Sequence, residues 1–168
     1  QQAAIHNPTN KDVLSAYGKA QASAGRLNEA LVTINRAQSP DSPDWRLLSA
    51  EGAILDQLGR SSEARLKYRE ALDIRPNEGS IVSNLGMSYL LAGDLRSAEV
   101  YLRKAANLSG ADSRVRQNLA LAIGLQGRFD EAERVASYEL HPQQAKDNVT
   151  YLKEMLSQHN SWQKLKET

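Results

Sequence analysis

No cysteine occurs in the 168 residues, so disulfide frameworks, thiolate zinc sites and cysteine nucleophiles are excluded from this chain. Aromatic residues are scarce: one Phe, two Trp and six Tyr argue against a large aromatic core. Neither sign of charge prevails, because 21 Lys plus Arg against 20 Asp plus Glu leave +1 and no net field for a phosphate backbone. Nucleic acid is therefore not an expected partner. The longest apolar run, Leu119 to Ile123, is five residues, where a bilayer span needs about 20. The chain opens on Gln1 rather than Met, so a trimmed or processed product is expected, with any signal peptide or lipidated residue upstream.

Recognisable catalytic patterns are missing too. The histidines His6, His141 and His159 are too few and too scattered for a metal set. There is no Gly-x-Gly-x-x-Gly, phosphate-loop Gly-Lys-Ser/Thr or His-Glu-x-x-His. Ser88, in Gly86-Met87-Ser88-Tyr89, lacks the second glycine of a nucleophile elbow and reads as packing inside a helix. No enzyme activity and no cofactor are expected.

What the chain does contain is a period. Gly25, Gly59, Gly93 and Gly127 lie 34 residues apart, as do Ala30, Ala64, Ala98 and Ala132. A third series runs Gly18, Gly52, Gly86, Ala120. Between the glycines, apolar residues recur at spacings of three and four, the signature of helices, so each unit is a helix, a turn and a second helix. The Gly25 series is expected to end the first helix in a left-handed conformation that costs other residues about 1–2 kcal/mol. Small residues at Gly18 and Ala30 would let the paired helices approach. Pro43, Pro76 and Pro142 mark the joints, Asn10, Asp44 and Asn77 are candidate caps, and Glu63 with Lys67 is a candidate i,i+4 ion pair.

This pattern, with glycine at position 8, alanine at 20 and 27 and proline near 32 of a 34-residue unit, resembles the tetratricopeptide repeat. The resemblance implies an all-α, right-handed superhelical solenoid of about four hairpins, 11–44, 45–78, 79–112 and 113–146. An N-terminal extension, 1–10, precedes them, and 147–168 forms a capping helix and tail. Position 24 holds Ile34, Tyr68 and Leu102. The fourth unit departs from the pattern with Glu139 at position 27, so its second helix is expected to be short or irregular. Val149, Leu152 and Leu156 fall on one face of the terminal helix, as a cap over the last hairpin requires.

In such a solenoid the first helices line a concave groove at positions 2, 5, 6, 9, 12 and 13. On this register the candidate peptide-binding residues are Arg46, Ser49, Asn84, Met87, Arg114, Asn118, Leu121 and Met155. Asn84 and Asn118 either each offer a donor and an acceptor to an extended backbone or bond within their own hairpins. Met87, Leu90, Leu121, Leu125 and Met155 form an apolar strip, which is either a docking surface or inter-repeat core. The carboxylate clamp of chaperone-binding members is not expected, since its positions supply a single cation in either register, Lys19 or Arg114.

A narrower resemblance rests on Asp112-Ser113-Arg114-Val115-Arg116-Gln117-Asn118-Leu119-Ala120-Leu121, on Gly124-Leu125-Gln126-Gly127-Arg128-Phe129 and on Asn148-Val149-Thr150-Tyr151-Leu152. These segments are similar to the TadD family of Tad/Flp pilus assembly lipoproteins. That likeness implies a non-enzymatic adaptor in pilus assembly and secretion, binding a partner peptide or helix. The partner it implies is the outer-membrane secretin or another Tad component. It also implies a lipid anchor upstream and a place on the periplasmic face of the bacterial outer membrane. The alternatives are a scaffold working through its convex face or by self-association, or a co-chaperone-like cytoplasmic adaptor outside the pilus system.

Overall fold

The computed structural model describes residues 11–138 and 140–166, with side chains among them up to residue 158. The regular elements among the described residues are nine helices: α1 (Lys11–Ser23), α2 (Leu27–Ala37), α3 (Trp45–Gln57), α4 (Ser61–Ile74), α5 (Gly79–Leu91), α6 (Leu95–Ala106), α7 (Ser113–Leu125), α8 (Phe129–Ala136) and α9 (Pro142–Lys166). They fall into two compact units, one ending at Ser88 and the other starting at Tyr89, so the border lies within α5.

The hairpin turns are made alike in both units. Gly25, Gly59, Gly93 and Gly127 have φ between 75° and 81°, the left-handed conformation their spacing predicts. In each turn the amide after the glycine reaches back five residues, Arg26 to the Gln21 carbonyl and Arg60 to that of Leu55, both at 2.9 Å. This closes the last turn of the first helix. The second helix then opens on a local ion pair in three repeats, Arg26 with Glu29, Arg60 with Glu63 and Arg128 with Glu131. In the remaining repeat Asp94 accepts from the Ser97 amide at 3.1 Å. The expected Glu63–Lys67 pair is not formed. Glu63 is taken by Arg60, while Lys67 turns to Glu70 at 3.2 Å and Glu51 at 3.6 Å.

In the first unit the core of the first two hairpins gathers Leu14, Ala30, Ile34, Ala37, Leu47 and Ile54. Small residues set how closely the helices pack. A methyl on Gly18 would lie 2.8 Å from Ile34 Cδ1, and one on Gly52 would lie 2.7 Å from the Tyr68 ring. Asp44 caps α3 by accepting from the Arg46 amide at 2.8 Å. Asn77 does not cap α5, because the carbonyl of the next residue, Glu78, takes the Ile81 and Val82 amides. Asn10 lies outside the described residues. Asp56 accepts from the Tyr68 hydroxyl at 3.2 Å and from the Ser88 hydroxyl at 2.8 Å. Ser88 is fully buried, in the packing role its helical setting predicts.

In the second unit the Tyr89 and Tyr101 rings stack at 5.4 Å. An ion network ties α6 to the α7–α8 hairpin. Glu99 accepts from Arg103 at 2.7 Å, Arg128 at 2.6 Å and Gln126 at 2.9 Å, and both arginines also reach Glu131. Burial pushes Glu99 up, but the bonds from Arg128, Arg103 and Gln126 outweigh it and hold the carboxyl at about 2, below its ordinary 4.5. A lowered folded-state value means that stability is fully present above about pH 4.5 and lost as pH falls toward about 2. Water reaches both guanidinium groups, which are 42–44% exposed, so we expect the loss to be about 1–2 kcal/mol rather than the full value of the shift. Urea unfolding across that pH window should therefore fall more steeply for the native chain than for Glu99→Gln. Equal slopes would show that the network is inert.

The second helix of the fourth repeat, α8, is the eight-residue helix its departures from the pattern predict. The last helix opens at Pro142, ahead of the expected cap at 147, and runs 25 residues. It turns Ala145, which is fully buried, with half-buried Val149, Leu152 and Leu156, inward. A methyl on Gly124 would lie 2.5 Å from Leu152 Cδ2, so the glycine gives α9 its seat on α7.

Candidate functional site

Three of the residues singled out for binding line a cavity, Arg46 in the first unit and Leu121 and Met155 in the second. In the first unit Lys11, Asp12, Ser15, Ala16 and Lys19 of α1 face Asp44, Arg46 and Leu47 at the start of α3, around about 440 Å³. Arg46 is held with its guanidinium carbon 4.6 Å from the centre of the Trp45 ring, and Arg75 approaches the same ring at 5.7 Å. A guanidinium at this distance is attracted by the negative face of the ring, which restrains where it lies.

In the second unit Gln117, Ala120 and Leu121 of α7, Ala136 and Leu140, and Asn148, Val149, Tyr151, Leu152 and Met155 of α9 enclose about 310 Å³. None of these ten side chains is a carboxylate, an ammonium or a guanidinium. Leu121, Tyr151 and Met155 at its mouth are 38%, 65% and 47% exposed. Tyr151 and Met155 follow each other by one helical turn and continue the face that positions 5 and 9 make on the first helices.

The predicted residues are thus distributed. Leu121 and Met155 share the apolar cavity and Arg46 lines the charged one. Ser49, Asn84, Met87 and Asn118 are half-buried on their helices and line neither. Arg114 is 84% exposed, with its charge paired to the cap residue Asp112 at 2.9 Å. Its bonds also hold the Asp112 carboxyl below the usual range. Of the apolar strip, Leu90 is core, 8% exposed, and Leu125 is half-buried. Sequence reasoning did not single out Ala136 and Leu140, although the column Ile34, Tyr68, Leu102, Ala136 carries the signal. Among the described residues no three His, Asp or Glu converge as metal ligands, and no helix is long and apolar enough to cross a membrane.

Two segments match family models described as tetratricopeptide repeat, residues 80–112 and 113–137. The fold is similar to that in a crystal structure of MamA, with a TM-score of 0.72 at 19% identity over 88% of this chain and 86% of that one. A tetratricopeptide repeat protein from Parabacteroides merdae gives 0.73 at 20% identity over 95% of this chain and 65% of that one. The chain therefore has an all-α fold of this kind and carries two matched tetratricopeptide repeats, which imply protein–protein interaction. Among curated proteins, the uncharacterized protein y4yS of Sinorhizobium fredii is 31% identical over 87 residues, 52% of this chain. The match spans about half, 48%, of that relative's length.

Proposed function

We propose that this chain is a non-enzymatic adaptor of Tad/Flp pilus assembly and secretion that holds a peptide or helix of a partner protein on its first-helix faces. The observation that carries the binding role is the pair of matched tetratricopeptide repeats at 80–112 and 113–137, and the apolar cavity lined by Leu121 and Met155 adds to it. The pilus assignment is supported by the TadD-like segments quoted from 112 to 152. In this reading the partner is the outer-membrane secretin or another Tad component, and an upstream lipid places the protein on the periplasmic face of the outer membrane.

Changing Asn84 and Asn118 together to Ala tests the reading. Each amide bond to a partner backbone is worth about 1 kcal/mol, so binding to purified secretin should weaken by about tenfold or more with the melting temperature unchanged. Unaltered binding to each Tad component overturns it.

One observation favours a second reading. Position 22 of three repeats holds Val32, Leu66 and Val100, and these are 61%, 55% and 65% exposed. Apolar side chains repeated at one outward position suit a scaffold that works through its second helices. Val32→Lys with Leu66→Lys should then abolish partner capture that the asparagine variant leaves intact.

A further inference from the structure

The apolar cavity of the second unit is where the repeat omits one of its own core side chains. In three repeats position 24 carries a large buried side chain, Ile34, Tyr68 and Leu102, exposed by 0%, 2% and 0%. Ile34 and Tyr68 lie directly over the glycine at position 8, within 3 Å of where its methyl would be. The fourth repeat has Ala136 at position 24 and Ala120 at position 8, a smaller pair, and about 310 Å³ beside them stays open among the described residues. The last helix covers the two alanines without filling that space. Ala145 packs with Ala120 and Ala136, and Leu152 seats on Gly124. These two contacts are seven residues, or about 10 Å, apart on a helix rising about 1.5 Å per residue. Between them α9 presents Asn148, Val149 and, at the mouth, Tyr151 to the cavity.

We propose that a partner polypeptide supplies the missing side chain, inserting one bulky uncharged residue of the Leu, Ile, Phe or Tyr kind between α7, α8 and α9. This deepens the adaptor reading and rests on it. The chemistry of the occupant comes from the chain itself, since the equivalent space in the other repeats is filled by Ile, Tyr and Leu. About 310 Å³ is ample, as a cavity of about 150 Å³ lined by apolar side chains takes a benzene ring. A charged residue would lose its hydration with no counter-ion among the ten lining side chains. Gln117, Asn148 and the Tyr151 hydroxyl supply neutral donors and acceptors for the backbone on either side. Leu121 and Met155 close over the inserted group.

The test is a displayed library of random 12-residue peptides selected on the full chain, with binding then measured to three variants. Selected peptides should share one large apolar residue between uncharged neighbours. Ala136→Leu, which restores the repeat's own pattern, should weaken them at least tenfold while keeping or raising the melting temperature. Should Ala136→Leu melt early, Leu121→Glu at the exposed mouth carries the same expectation. Peptides that bind a stable Ala136→Leu chain as well as the native one overturn the inference. A library that converges on charged residues, or that yields no binder, overturns it too. So does a native dimer that Ala136→Leu splits, which would make a second copy the occupant. If Asn84→Ala with Asn118→Ala weakens the peptides and Ala136→Leu does not, the cavity falls and the adaptor reading survives. If neither variant matters, both fall.

Discussion

Asp56→Ala is expected to lower the unfolding free energy of the first unit by about 2–4 kcal/mol, because it strands two buried hydroxyls at once, each costing about 1–3 kcal/mol. Tyr68 is 2% exposed and Ser88 is fully buried, so water cannot replace the carboxylate for either. Burial, followed by the Asp56 charge and its hydrogen bond, pushes the Tyr68 phenol far above its usual range, so it stays a donor. The two bonds join α3, α4 and α5, three helices from two successive repeats, so the loss is not local to one hairpin. Ser88→Ala and Tyr68→Phe each remove a single bond and should cost about 0.5–1.5 kcal/mol. Adding Ser88→Ala to Asp56→Ala should cost less than the sum, since the second change removes a hydroxyl the first has orphaned. Urea melts of the four chains check this, and a loss below about 1 kcal/mol for Asp56→Ala would show the carboxylate to be incidental.

Ala64→Leu should destabilise the same unit by about 1–3 kcal/mol through overpacking. Ala64 is fully buried on α4, one turn before Tyr68, whose ring already stands within 3 Å of where a methyl on Gly52 would lie. A larger side chain at 64 has no free volume on that side, so helices α3 and α4 must separate. For a unit of this size the melting temperature should fall by about 4–8 °C per kcal/mol. Leu66→Ala, two residues on but 55% exposed, should stay within about 0.5 kcal/mol of the native chain. Equal effects at 64 and 66 would contradict the placement of this helix.

The hairpin turns were legible in the sequence because only glycine tolerates their positive φ, and four glycines stand 34 residues apart. The cap at Asp44 was legible for a similar local reason, since it depends on the amide two residues on. Ion pairs were not. The i,i+4 spacing of Glu63 and Lys67 gave no hint that Arg60 sits closer to Glu63, or that Glu51 of the preceding helix draws Lys67. The beginning of α9 was missed because Pro142 was read as the end of an element, whereas proline is equally suited to the first turn of the next. The cavity needed coordinates: Ala136 looks like one more small residue until Ile34 and Tyr68 are seen seated on glycine. Register alone put Leu121 and Met155 on a shared face, and both line the same cavity, because a face repeating every 34 residues carries its positions with it.

The two halves of the chain are fastened by different forces. Between its helices the first is tied by a carboxylate bonded to two buried hydroxyls and by a Lys67–Glu51 pair, the second by guanidinium groups that water and counter-ions can reach. Dissolved electrolyte screens the latter and leaves the former almost untouched. Raising sodium chloride toward 1 M should therefore pull apart two calorimetric transitions, with the half that bears the apolar cavity loosening first.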